Sequence, residues 1–109
     1  MQIHEENQAS IITVLNEECG MLMKTVDSLL EKGRMRYVFD LSQVTFLNSV
    51  SIAAIIATRN RITTAGGKVA LSNLADNIKA VFRILKLERV FDLTLDLDRA
   101  LAPERGLEP

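Results

Sequence analysis

Apolar and polar positions along the chain switch between a period of two and a helical period, and the switches outline a succession of short elements. Ser10 to Leu15 (SIITVL) is short, β-branched and apolar, and a weaker extended stretch, Gln2 to Glu6, precedes it with Asn7 and Gln8 between. Two such runs separated by two residues predict an antiparallel hairpin. Leu22, Val26, Leu29 and Leu30 then recur at helical spacing with Lys24, Asp27 and Ser28 between them, until Gly33 offers a left-handed stop. That pattern predicts an amphipathic helix ending near Lys32. Tyr37 to Leu41 (YVFDL) is too short for a helix and is interrupted only by Asp40. Such a run marks a strand covered on both faces, so it should be central.

The second half repeats the alternation. Ile52, Ile55, Ile56 and Ile62 share one side of a helical wheel, Arg61 points away, Arg59 is the exception on the apolar side, and Ala65-Gly66-Gly67 ends the pattern. A helix over roughly Val50 to Thr64 follows. Lys68 to Ser72 (KVALS) reads as a strand, and Leu74, Ile78, Val81, Phe82 and Leu85 predict a third amphipathic helix, with Asp76 in its first turn and Lys86 in its last complementing the dipole. Phe91, Leu93, Leu95 and Leu97 alternate with polar residues and predict an edge strand.

The order β, β, α, β, α, β, α, β favours parallel crossovers after the hairpin, hence a single small α/β domain with a mixed, mostly parallel sheet and helices packed on it. The expected domain spans residues 1–101, and 102–109, with two prolines and a glycine, is expected to be a loose tail. The expected core is Val38, Phe39, Leu41, Ile55, Ile56, Val69, Leu71, Ile78, Val81, Phe82 and Leu85.

Composition narrows the function. With 109 residues, 48% hydrophobic, the chain can bury a real core. Thirteen Lys and Arg against fourteen Asp and Glu leave a net charge of −1, so no basic excess drives direct nucleic-acid binding. No apolar run reaches the ~20 residues of a membrane span, and the charged first residues lack the apolar stretch of a signal peptide, so a cytoplasmic protein without membrane insertion is expected. His4 and Cys19 are the only residues of their kinds. Neither has a partner at ligand or nucleophile spacing, so His4 is expected to be an exposed strand residue and Cys19 a half-buried residue at a helix start. No metal or cofactor is expected. Gly66-Gly67-Lys68 lies between a helix and a strand, the reverse of a phosphate-binding loop, which disfavours a nucleotide-dependent enzyme.

The informative segment is the loop after the central strand, residues 40–51 (DLSQVTFLNSVS), which leads directly into a helix. In parallel α/β sheets, loops at the strand ends are the usual functional face. Asn48 or Ser49 has the chemistry of an N-cap, and a hydroxyl at the positive end of a helix dipole could accept a phosphate. Capping alone also explains such residues.

From about Ile3 to Leu97 the chain resembles the STAS domain family, of the anti-sigma factor antagonist type. The resemblance rests on YVFDLSQVTFLNSVSIAAIIATRNRITTAGGKVALSNL, the third helix and ERVFDL, in their order and spacing. It implies a bacterial regulatory binding module in signal transduction and transcription control, without catalysis of its own. Its implied partners are a kinase-type anti-sigma factor, or a related serine kinase, and a phosphatase. It places the phosphoacceptor on Ser49, the preceding acidic position on Asn48 and the strand-terminal acid on Asp40. Val50 and Ser51 stand where the family often has a second small polar residue and Gly, and Leu85-Lys86 where it often has Thr-Gly. Asp40, Asn48, Val50 and Ser51 are thus the expected loop-support and partner-contact residues. Lys79, Arg83 and Lys86, with Arg89 beyond, form either a partner stripe or an ordinary solvated face. The alternative to a switch is a non-phosphorylated interaction subunit of a larger signalling or transport assembly; oligomeric state is not legible.

Overall fold

In the computed structural model, which describes residues 1–92 and 100–101, four strands form one sheet in the order β1-β2-β3-β4. Strand β1 (Gln2–Glu6) pairs antiparallel with β2 (Ala9–Thr13), and β3 (Arg36–Asp40) and β4 (Lys68–Ser72) continue in parallel. The hairpin turns on Asn7 and Gln8, both at positive φ (52° and 65°), as a two-residue turn matched to strand twist requires. Helices α1 (Leu22–Glu31) and α2 (Ser49–Thr64) are the crossovers, and α3 (Asp76–Ile84) follows β4. A 3-10 turn, Asn16–Met21, which periodicity did not foretell, leads into α1.

The sheet sorts its side chains by alternation. Ile12, Tyr37, Phe39 and Leu71 face the helices and pack with Leu22, Val26, Ile55, Ile62, Ile78 and Phe82. Ala9, Ile11, Val38 and Ala70 point to the other face, where Ala100 and Leu101 cover them. Tyr37, Val38 and Phe39 are all fully buried, which accounts for the unbroken apolar run in β3.

Each of the three helices is followed by a residue at positive φ. After α1 and α2, Gly33 (φ 82°) and Gly66 (φ 91°) adopt the left-handed conformation while Arg34 and Gly67 donate back to Leu29 and Ile62 carbonyls at 3.1 and 2.9 Å. After α3 the same position is filled by Lys86, at φ 60°. Lys86 therefore lies past the helix, not in its last turn, where Arg83 is the basic residue.

Four of the expected core residues differ from expectation. Leu85 is 48% exposed, because it follows the end of α3 at Ile84 and borders an open groove. Ile56, Val69 and Val81 are half-buried, Val69 against the core edge and the other two along a groove between helices. Cys19 is buried rather than half-buried, since the 3-10 turn tucks it under the start of α2, and His4 is exposed as expected. Of the expected edge strand, Phe91 is buried against Phe82, ring centroids 6.0 Å apart, while residues 93–99 and the tail 102–109 lie outside the described residues.

Candidate functional site at the start of the second helix

The loop joining β3 to α2 is held from three sides. Asp40, at the end of β3, accepts hydrogen bonds from the Ser42 amide at 3.0 Å, the Asn73 side-chain amide at 3.2 Å and the Thr13 hydroxyl at 3.5 Å. One carboxylate thus ties together segments that follow or end β2, β3 and β4. None of these bonds reaches Ser49, so Asp40 supports the loop from beneath.

Two asparagines that sequence reasoning did not single out clamp the next stretch. Asn16 accepts from the Thr45 amide at 2.9 Å and donates to the Thr45 hydroxyl at 2.9 Å, and Asn77 on α3 donates to the Thr45 carbonyl at 2.8 Å. Thr45 is therefore fixed through its amide, its hydroxyl and its carbonyl. These contacts link residues 29 and 32 positions apart, and no local pattern announces them. Val44, buried in the core, pins the loop between them.

Beyond Thr45 the chain enters α2 through Asn48, whose extended backbone (φ −110°, ψ 178°) makes it the N-cap. Its Oδ1 accepts from the Ser51 amide at 2.8 Å. Ser49 is thus the first helical residue, exposed, and among the described residues its hydroxyl has no hydrogen-bond partner. Val50 beside it is 69% exposed. Ser51 turns inward against Cys19: burial pushes that thiol up from its ordinary value, and a hydrogen bond with the Ser51 side chain partly offsets the shift. The structure therefore divides the expected site residues. Asn48, Ser49 and Val50 face outward together, whereas Asp40 and Ser51 act from below.

α1 packs along α2, but α3 stands apart from it, leaving an apolar groove of about 590 Å³. Leu47, Asn48 and Ser49 line one end, Ile52, Ala53 and Ile56 one wall, and Val81, Ile84 and Leu85 the other. Ile84 is 79% exposed and Phe46, on the loop above, 57%. A wheel identifies such residues as apolar without saying whether anything covers them, which is why Ile56, Val81 and Leu85 read as core. Lys79, Arg83 and Lys86 are not among the lining residues; Arg83 and Lys86 are exposed and Lys79 half-buried.

The strand order, the capped loop and the helix it opens form one pattern, and residues 15–100 match the family model for the STAS domain. The chain belongs to the STAS domain family. Solved STAS-like structures superpose closely. The protein TM1081, solved by NMR, has a TM-score of 0.79 at 22% identity, covering 91% of this chain and 83% of that one. A crystal structure of TM1081 from Thermotoga maritima, described as a candidate anti-sigma factor antagonist, has a TM-score of 0.72 at 25% identity over 85% of this chain and 86% of that chain. A serine-to-glutamate variant of RsbS from Moorella thermoacetica has a TM-score of 0.75 at 14% identity over 94% and 95% of the two chains. Among the curated proteins no sequence matches. This STAS domain contains no helix long and apolar enough to cross a membrane among its described residues.

Proposed function

We propose that this STAS domain is an anti-sigma factor antagonist-like binding module, and not an enzyme, switched by phosphorylation of Ser49. The unmodified form binds a kinase-type anti-sigma factor or related serine kinase; the phosphorylated form does not, until a phosphatase restores it. The observation that carries this reading is the division of labour between Asn48 and Ser49. Because Asn48 caps α2, the Ser49 hydroxyl is left exposed and, among the described residues, without a hydrogen-bond partner. A hydroxyl retained there only to cap would be occupied.

Electrostatics supports the choice of position. A phosphate carries a charge of about −1.5 to −2 and, at the first residue of a helix, lies beside backbone N–H groups with no intrahelical acceptor, so the fold tolerates it. Beside Val50 and the apolar groove, the same charge brings hydration into a surface suited to burial. Phosphorylation would then change binding and leave folding intact. SpoIIAA from Bacillus, whose structure resembles this chain at a TM-score of 0.65 and 11% identity, has been solved in a phosphorylated form.

The test is a binding comparison. A kinase-type anti-sigma factor from the same genome, found by co-purification, is titrated with wild type, Ser49→Ala and Ser49→Asp. The reading expects wild type and Ser49→Ala to bind alike and Ser49→Asp to bind at least tenfold more weakly, a loss of about 1.4 kcal/mol. Equal binding by all three forms would favour the alternative, a static interaction subunit of a larger assembly.

A further inference from the structure

The groove between α2 and α3 is walled by a stretch of the chain with a basic excess. Residues 49–90 contain seven Lys and Arg and two Asp and Glu, a net of +5, although the whole chain carries −1; one of the seven, Arg61, pairs with Asp27 of α1 at 2.7 Å. Arg59, half-buried, follows Ile56 by three residues on α2, just outside the lining of the groove. Lys86 is exposed between Leu85 and Leu87, both of which line the groove, and Arg89 follows on the adjoining 3-10 turn. Three cations thus border the lining residues in sequence: Arg59 beyond Ile56, Lys86 between Leu85 and Leu87, and Arg89 two residues past Leu87. At the Ser49 end the positive pole of α2 faces outward.

The walls are two helix surfaces with apolar residues at helical intervals: Ile52, Ala53 and Ile56 on one, Val81, Ile84 and Leu85 on the other. A third helix can lay an apolar stripe between such ridges, the mode in which amphipathic helices enter hydrophobic grooves. We propose that the groove receives an amphipathic helix from a partner protein, with acidic residues flanking its apolar stripe. Its carboxylates meet Arg59, Lys86 and Arg89 beside the lining residues and the start of α2 at the Ser49 end. The proposal deepens the Ser49 reading, on which it rests for the switch: a phosphate on Ser49 puts negative charge at the mouth of a site built for an acidic ligand.

A display library of amphipathic helices with one fixed apolar stripe and randomised flanking positions, selected on the full chain, tests this. Asp and Glu should dominate the selected flanks, and the selected peptide should shift amide resonances of Ile52, Ala53, Ile56 and Ile84. Ile84→Glu, which alters an exposed side chain, and the double change Arg59→Glu with Lys86→Glu should each weaken that peptide about tenfold or more, with circular dichroism confirming the fold. Selection of Lys and Arg flanks, no flank preference, shifts confined to other faces, or capture of phosphatidylglycerol vesicles in place of any peptide would overturn the proposal. The peptide is also titrated against Ser49→Asp in a separate arm, where weaker binding is expected. Unchanged affinity there would overturn the switch while leaving the groove assignment standing.

Discussion

The Asn48 side chain accepts the Ser51 amide at 2.8 Å across the first turn of α2, so the helix is capped by the residue before the candidate phosphoacceptor. This fixes which of two adjacent residues the fold depends on. Asn48→Ala should cost about 1 kcal/mol, within the ~0.5 to 2 kcal/mol typical of lost caps, while Ser49→Ala should stay within about 0.5 kcal/mol of wild type. Urea denaturation of both variants measures the difference. Equal losses would show that Ser49 shares the capping.

Lys86 occupies, at φ 60°, the left-handed position that Gly33 and Gly66 fill after the other two helices. A side chain there is strained by roughly 1 kcal/mol or more, which glycine relieves at some cost in unfolded-chain entropy. Lys86→Gly should therefore leave stability unchanged or raise it by up to about 1 kcal/mol, despite removing a long side chain. A fall in thermal midpoint would contradict the conformation of this turn.

Gly67 is needed for space. A Cβ at this position would lie 2.5 Å from the Met35 carbonyl oxygen and 2.8 Å from Ile62 Cγ2. Because Lys68 donates to the same Met35 carbonyl at 2.8 Å, the obstructing atom is held and cannot move aside without loosening the start of β4. Gly67→Ala should destabilise the domain by about 1 to 3 kcal/mol, readable as a shifted denaturation midpoint.

Where the sequence carries strong local chemistry, the fold was legible. The hairpin over Asn7 and Gln8, the central β3, and the stops at Gly33 and Gly66 all follow from alternation and from glycine's conformational freedom. Lys86 gave no such signal, because the left-handed turn it makes is imposed by how α3 ends rather than by its own preference. Ile56, Val81 and Leu85 read as core because periodicity distinguishes an apolar face from a polar one but not a covered face from an open one. The site was legible in part. Asn48 and Ser49 stand where strand-to-helix chemistry puts them, but the clamp of Asn16 and Asn77 on Thr45 exists only once the loop has folded.

Phosphate transfer to the chain tests the central claim most directly. Wild type and Ser49→Ala are each incubated with ATP and every kinase-type anti-sigma factor encoded in the genome that carries this chain, and their intact masses and phosphopeptides are measured. The account requires one kinase that adds a single phosphate to wild type, located on Ser49, and none to Ser49→Ala. A phosphate on another residue, or none with any of these kinases, would contradict it.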